Sequence, residues 1–276
     1  MAEKLKLMCI LAHPDDESLG IGGTVAKYAA TGVEIHLVTA TRGEHGWPWD
    51  IETYPGLKEL GRRREVELRA AASVLGIHSV NLLNYIDGEL DQANPLEIQA
   101  SLVTIIRQVR PQVIVTFDPN GVYGHPDHIA ISQLTTAAVV CAADSCYGDT
   151  NKDAHYRVSK LYYLAPLSEQ LAIYQTAFGE FVIHVDGTPR RASGWDTWAI
   201  TTRIDAEAHW QTVWQAVSCH KSQLANFQFL ERQPTEIHKQ LWGCQTYYRA
   251  FSLVNGGREI ETDLFDGLPQ NSDVER

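Results

Sequence analysis

The sequence lacks a long apolar run and a cysteine framework. Its first apolar stretch, residues 5–12, is interrupted by Lys6 and ends at His13-Pro14-Asp15-Asp16, so it is too short for a signal-peptide core or a membrane span. The five cysteines are scattered, odd in number and without a Cys-x-x-Cys pair, which favours a reducing compartment over a disulfide framework. These absences predict a soluble, cytoplasmic protein.

Basic residues are also in short supply. The 276-residue chain has 23 Lys and Arg against 34 Asp and Glu, a formal net charge of -11 at pH 7. Because like charges repel, this balance argues against nucleic acid and anionic membranes as partners and favours a neutral or cationic small molecule. With no internal repeat or low-complexity linker, we expect one domain over 1–276, with a core at about 5–185, an extension at about 200–258 and a polar tail at 259–276.

Apolar periodicity alternates between strand and helix over the first 120 residues. Strands are predicted at 7–12, 33–39, 80–83 and 112–117. Helices are predicted at 24–31, 58–75 and 95–109, and Gly76 ends the second of them. This alternation is typical of an α/β, Rossmann-like, mostly parallel sheet flanked by helices on both faces, in which ligands gather at the carboxyl ends of the strands.

The later half is less regular and predicts a smaller, irregular C-terminal part. The pattern indicates a loop at 146–155, a strand at 160–165, a turn-rich connection at 187–194, a long helix at 205–233 and a late strand at 246–254. The polar end, 259–276, is expected to lie on the surface or to fray.

Two clusters of histidines and carboxylates follow predicted strand ends. The first cluster contains His13, Asp15, Asp16 and Glu17, and the second contains His125, Asp127 and His128. Carboxylates this close repel one another, so a cation is the natural partner that keeps them ionised. Two histidines and one carboxylate form a common catalytic zinc set, since three protein ligands leave a position for water. Either His-Pro-Asp segment alone is equally compatible with a turn that caps a helix; two at one sheet edge favour a shared site.

These motifs resemble the PIG-L/LmbE family of metal-dependent deacetylases, whose members act on N-acetylglucosamine linked to phosphatidylinositol, myo-inositol or malate, or on related glycans and glycopeptides. The resemblance rests on Ala12-His-Pro-Asp-Asp-Glu17, Gly22-Gly23, Thr41-Arg-Gly-Glu44, Arg64-x-x-Glu67 with residues 71–76, and Tyr123-Gly-His-Pro-Asp-His128. It covers about 5–135, with a weaker echo at His220-Lys-Ser-Gln223, where we expect His220 to be structural.

The resemblance implies a role for each matching residue. The metal, Zn²⁺ or another divalent ion such as Fe²⁺, would be held by His13, Asp16 and His128. Asp15 would be the general base that deprotonates the metal-bound water. His125, oriented by Asp127, would steady the oxyanion or protonate the leaving amine, and Tyr123 would share in the stabilisation.

Two further residues are predicted to contact substrate. Arg64 belongs to the run 62–64, and most such runs are solvated, but its family equivalent faces the site. Asp87 resembles the family's acceptor for sugar hydroxyls, although an Asp-Gly turn explains it almost as well. The Gly-x-Gly-Gly segment 20–23 lacks the dinucleotide spacing and follows three carboxylates, so a pyrophosphate is not expected there.

The expected function is therefore removal of the acetyl group from an N-acetylglucosamine-type conjugate, by attack of zinc-bound water on the amide carbonyl. One alternative is an amidase of the same family that cleaves a bulkier N-acyl group, and pocket volume separates the two. A binding module with a structural metal is the alternative from another class. The resemblance also implies a homo-oligomer, a trimer or hexamer, although no sequence feature fixes the number.

Overall fold

The computed structural model of the protein describes residues 4–148, 154–179, 182–227 and 230–269. Nine strands lie in these ranges: β1 Lys6–Leu11, β2 Glu34–Thr41, β3 Ser79–Tyr85, β4 Val113–Phe117, β5 Lys160–Leu164, β6 Val182–Val185, β7 Thr188–Arg191, β8 Thr202–Asp205 and β9 Cys244–Ser252. The helices in the same ranges are α1 Asp16–Leu19, α2 Gly22–Ala30, α3 Leu57–Leu75, α4 Pro95–Val109, α5 Gly121–Gly124, α6 Pro126–Ala143, α7 Ser168–Phe178, α8 Trp210–Val217, α9 Leu224–Phe227 and α10 Thr235–Trp242.

Seven strands form one sheet in the order β3-β2-β1-β4-β5-β9-β8. The first five pair in parallel, whereas β9 runs antiparallel to β5, and β8 runs antiparallel to β9. The predicted α/β, mostly parallel sheet is thereby confirmed, and the C-terminal strands extend it. β6 and β7 form a separate hairpin.

Strand β1 lies at the centre of the core. Its residues 7–11 are each at most 1% exposed, although successive side chains point to opposite faces of the sheet. Helices therefore cover both faces. α4 packs on α6, and α8 packs on α2 and α3. No helix in the described ranges has the length and apolar character needed to cross a bilayer.

The predicted helices of the first half begin and end where local signals place them. Asn94 caps α4 by accepting a hydrogen bond from the backbone N–H of Leu96 at 3.1 Å, and Pro95 occupies the first turn. Gly76 ends α3 with a φ of 76°, a left-handed conformation that glycine adopts without strain.

The prediction of one helix over 205–233 is wrong. Residue 205 ends β8, and only Trp210–Val217 forms a regular helix before the chain turns at Lys221–Gln223; residues 228 and 229 lie outside the described ranges. After α8, Ser222 donates its backbone N–H and its hydroxyl to Glu67, which ties this part of the chain to α3. The predicted connection at 187–194 also differs, since it contains β7 of the hairpin.

Part of the polar C-terminal end, which we expected to lie on the surface or to fray, is buried. Leu264 is fully buried, and the Glu261 carboxylate accepts hydrogen bonds from Lys160 Nζ at 2.7 Å, Thr202 Oγ1 at 2.7 Å and Tyr162 Oη at 2.8 Å. The sequence pattern missed this because the partners of Glu261 lie about 60 to 100 positions away along the chain. Residues 270–276 and part of the predicted loop at 146–155 lie outside the described ranges.

Candidate active site

Both predicted clusters lie at one edge of the sheet. β1 and β4 are parallel neighbours, so the segments that follow their carboxyl ends meet. The first segment contains His13, and the second leads into α6, which begins at Pro126 with His125 as its cap. The Nδ1 atom of His13 lies 3.2 Å from the Nε2 atom of His128, although 115 residues separate them.

The three predicted metal ligands lie beside one another. One Asp16 oxygen, Oδ2, lies 3.7 Å from His13 Nδ1, and the other, Oδ1, lies 3.5 Å from His128 Nε2. Donor atoms in a tetrahedral zinc site with bonds of about 2.0–2.1 Å are roughly 3.4 Å apart, so each of these pairs is spaced like two ligands of one ion. Burial raises the pKa of Asp16 to about 7, which means that this carboxylate needs a cation to stay ionised at neutral pH.

The other nitrogen of His13 faces two carboxylates. His13 Nε2 lies 3.1 Å from Asp127 Oδ2 and 3.1 Å from Asp87 Oδ1. Both oxygens accept a hydrogen bond, so a hydrogen stays on Nε2. Although burial acts to lower it, the hydrogen bonds to Asp127 and Asp87 raise the pKa of His13 well above its ordinary value, so a metal bound at Nδ1 would replace a proton there. The atoms of His13, Asp87 and Asp127 are also close enough to hold an ion themselves, as are the nitrogens of His13, His125 and His128.

Asp127 contacts His125 through its backbone and not through its carboxylate. The Asp127 carboxylate is fully buried and accepts hydrogen bonds from the backbone N–H groups of Gly88 at 2.8 Å and Leu90 at 3.1 Å, in addition to facing His13. Asp127 stands in the first turn of α6, where its side chain reaches the loop after β3. It holds His125 through its own backbone N–H, which donates to His125 Nδ1 at 3.2 Å.

This cap fixes the state of His125. Because Nδ1 accepts a hydrogen bond, the neutral imidazole carries its hydrogen on Nε2. Burial, reinforced by the charge of His13, lowers the pKa of His125 to about 4. His125 is therefore a neutral hydrogen-bond donor near pH 7.

Asp15 is held in an uncommon conformation beside Arg64. Its φ is 107°, a left-handed value that costs a non-glycine residue of order 1–3 kcal/mol. Arg64 Nη2 donates to Asp15 Oδ2 at 3.0 Å and to the Pro14 carbonyl at 2.6 Å, while Nη1 donates to the Gly43 carbonyl at 2.7 Å. Of the three arginines in the run, Arg64 alone is buried; its neighbours at 62 and 63 pair with Glu59 on the surface.

Asp87 and Tyr123 also reach the site. Asp87 is buried against His13, and its Oδ2 atom accepts the backbone N–H of His45 at 3.0 Å. The Tyr123 ring packs edge-on against His128 with a centroid distance of 5.2 Å. The preceding Val122 has a φ of 64°, and its N–H is held by Asp118 at 2.7 Å. The described structure thus brings all nine predicted site residues together.

A cavity of about 430 Å³ opens on this cluster. Asp15, Asp16 and His128 line one side. The apolar lining residues include Leu19, Phe117, Leu164, Pro166, Leu171 and Tyr174. The sequence predicted none of these six as site residues, because apolar side chains carry no chemical signal.

The sequence also did not predict a buried ion pair beside the segment that follows β1. Glu17 Oε1 lies 2.9 Å from His220 Nε2, and both residues are fully buried. The sequence analysis grouped Glu17 with the carboxylates that need a cation and expected His220 to be structural. The echo motif at 220–223 was the signal for this contact.

Comparison with known proteins agrees with this geometry. The sequence profile of the GlcNAc-PI de-N-acetylase family, PIG-L, matches residues 8–139. A protein from Thermobifida fusca (strain YX), named 1D-myo-inositol 2-acetamido-2-deoxy-alpha-D-glucopyranoside deacetylase, is 36% identical over 294 residues, which cover 94% of this chain and 98% of that protein.

Solved structures share the fold at low sequence identity. N,N'-diacetylchitobiose deacetylase from Pyrococcus horikoshii has a TM-score of 0.64 at 22% identity, over 88% of this chain and 82% of that one. The 4-carboxy-2-hydroxymuconate hydratase from Pseudomonas putida KT2440 has a TM-score of 0.66 at 19% identity, over 92% and 99% of the two chains. Because a hydratase shares the fold, the fold alone does not specify a reaction. The motifs, the geometry and the full-length similarity to the Thermobifida protein together confirm that this chain belongs to the PIG-L family.

Proposed function

We propose that the protein is a zinc-dependent N-deacetylase that removes the acetyl group from an N-acetylglucosamine-type conjugate. The observation that carries the proposal is the convergence of His13 Nδ1, His128 Nε2 and the Asp16 carboxylate on one point beside Asp15. This donor set suits zinc, and two histidines with one carboxylate also suit Fe²⁺. A divalent ion bound there would acidify water and polarise the amide carbonyl.

Asp15 is the proposed general base. It lines the cavity, and its Oδ2 atom is anchored by Arg64, which leaves the other carboxylate oxygen to take a proton from the attacking water. Arg64 fixes the direction of this carboxylate, and in the proposal it keeps its expected role as a substrate contact. Asp87 is likewise proposed as a substrate contact as well as a partner of His13.

His125 is the proposed donor to the oxyanion. The sequence left open whether it stabilises the oxyanion or protonates the leaving amine. A neutral imidazole with its hydrogen on Nε2 favours hydrogen bonding to the developing negative charge. Tyr123 stands 5.9 Å from His125 between ring centroids and is the proposed second group on that side.

The apolar cavity favours a second candidate, cleavage of an N-acyl group bulkier than acetyl. Its volume of about 430 Å³ falls within the range of small-molecule sites, and its apolar lining suits an alkyl chain longer than the acetyl methyl. Tyr174 presents its ring to this cavity, while its hydroxyl donates to the Leu19 carbonyl at 2.7 Å. The other polar side chains in the lining include Asp15, Asp16, Tyr123 and His128, which are already assigned to metal binding or catalysis in this proposal.

The test is a release screen on protein loaded with Zn²⁺, Fe²⁺ or Co²⁺. Substrates are GlcNAc-inositol, GlcNAc-malate, diacetylchitobiose and free GlcNAc, together with N-butanoyl and N-hexanoyl glucosamine. Acetate release that is lost in Asp15→Asn supports the deacetylase, and faster release of the longer acids supports the second candidate. A protein that binds metal yet hydrolyses none of these amides would instead be a binding module.

Assembly and location stay predictions. A trimer or hexamer would be measured by light scattering coupled to size exclusion. The cytoplasmic compartment would be measured by fractionation of the source cells.

A further inference from the structure

The conformation of Asp15 needs support from its surroundings. A non-glycine residue with a φ of 107° persists only where neighbouring contacts over-determine it. One such contact is the backbone N–H of Asp15, which donates to Glu17 Oε2 at 3.0 Å. Glu17 therefore acts directly on the backbone of the proposed base, two residues before it in the chain.

Glu17 is itself fixed by a distant histidine. Its carboxylate is fully buried, so it requires partners inside the protein. His220 Nε2 lies 2.9 Å from Glu17 Oε1, and the Ser18 hydroxyl donates to the same oxygen at 2.6 Å. His220 is fully buried as well, and 203 positions separate it from Glu17.

The segment that presents His220, residues 220–223 (the clamp segment), is tied to helix α3 and to the loop after β2. Ser222 donates its N–H and hydroxyl to Glu67 of α3 at 2.8 and 2.7 Å. The Ser222 carbonyl accepts from Trp49 Nε1 at 2.9 Å, and Gln223 Nε2 donates to the Gly46 carbonyl at 2.6 Å. These bonds leave His220 little freedom to move away from Glu17.

We propose that His220 is a positioning residue for the reaction: through Glu17 it holds the backbone of Asp15 in the left-handed conformation that directs the carboxylate to Arg64 and the metal ligands. The claim that Asp15 is the base rests on the proposed function. The claim that His220 controls its conformation rests on the contacts alone.

Three variants separate positioning from simple packing. His220→Leu removes the donor to Glu17, and His220→Gln keeps an N–H group that can reach it. Glu67→Gln is the matched control, because it weakens the same clamp segment at Ser222 without touching Glu17. For each variant we would measure kcat and KM for the best acetamido substrate of the release screen, bound metal, and Asp15 φ in a crystal structure.

We expect His220→Leu to lower kcat about 100-fold and to change KM by less than about threefold, since a displacement near 1 Å of a catalytic group costs about that much. Its Asp15 should leave the left-handed region and its contact with Arg64, while the metal stays bound. His220→Gln should recover kcat to within about tenfold of wild type, and Glu67→Gln to within about threefold.

A folded His220→Leu protein with unchanged kcat and Asp15 φ would overturn the proposal, as would equal losses in all three variants. If His220→Leu does not fold, Glu17→Gln carries the same test, because one amide oxygen replaces the two carboxylate oxygens, one of which serves Asp15 and the other His220 and Ser18. A lower kcat with a shifted Asp15 supports positioning, and unchanged values refute it. If the wild type hydrolyses no amide, the proposed function fails, and the Asp15 conformations still decide this inference.

Discussion

Replacing Asp127 with asparagine tests how the hydrogen-bond partners of His13 prepare this proposed metal ligand. Three N–H groups point at the Asp127 carboxylate, from His13, Gly88 and Leu90, at 3.1, 2.8 and 3.1 Å. An asparagine offers one oxygen and an NH₂ group that cannot accept, so at least one buried N–H loses its partner.

The size of the effect follows from these contacts. A hydrogen bond to a charged group contributes about 1.5–3 kcal/mol, so the free energy of unfolding of the metal-free protein should fall by about 2–3 kcal/mol. Metal affinity should fall about 10-fold to 100-fold, because the carboxylate that fixes the hydrogen on His13 Nε2 is replaced at best by a neutral and weaker acceptor. The loss is partial, since Asp87 still faces the same nitrogen at 3.1 Å.

The assays are urea unfolding of the metal-free protein and metal competition with a chromogenic chelator. Ser132→Ala is the matched control: it removes a buried hydrogen bond to the Phe117 carbonyl from the same helix, so it should lower stability and leave metal affinity within about threefold. Metal affinity of Asp127→Asn equal to wild type would refute the assigned role of Asp127. So would an equal loss of affinity in the control.

Three further predictions concern the C-terminal segment, the base and the cavity. Although burial acts to raise the pKa of Glu261, hydrogen bonds from Lys160, Thr202 and Tyr162 lower it to about 2. The ionised Glu261 carboxylate therefore stabilises the fold above pH 4.5, and this contribution is lost as the pH falls towards 2. Urea unfolding should show Glu261→Gln destabilised by about 2–3 kcal/mol at pH 7 and by much less at pH 3, and a constant difference would contradict the pairing. Arg64→Lys should lower kcat about 100-fold, because an ammonium group cannot hold the three acceptors that the guanidinium holds. Gly43→Ala should lower kcat similarly, because its Cβ would overlap the Arg64 guanidinium. Steady-state kinetics that leave either variant active would contradict the role of Arg64 in fixing Asp15. Ala192→Phe should lower kcat/KM for N-hexanoyl more than for N-acetyl glucosamine by filling the cavity, and equal effects would place the acyl group elsewhere.

The part of the site that could be predicted from sequence depends on short-range signals. Each His-Pro-Asp segment directly follows a strand of a parallel sheet, so the fold itself brings His13 to His128 once β1 and β4 pair. Short-range signals also predicted helices α3 and α4, because the residues that end α3 and begin α4 lie next to those helices in the sequence.

The remainder depends on partners that are far apart in sequence. Over the described part of 205–233, the apolar and aromatic period is divided between α8 and the short helix α9, and between them Ser222 and His220 bond to residues more than 150 positions away. The Asp127 carboxylate contacts His13 and not its neighbour His125, because at the start of α6 the Asp127 side chain points to the loop after β3. A periodic pattern records burial, not the identity of the buried partner.

The proposed metal site is tested most directly by anomalous diffraction from crystals of the zinc-loaded protein at the zinc absorption edge. We predict one ion bonded to His13 Nδ1, His128 Nε2 and Asp16, with an open coordination position facing Asp15. An ion bound instead to His13 Nε2, Asp87 and Asp127, or one with every position filled by protein atoms, would contradict it.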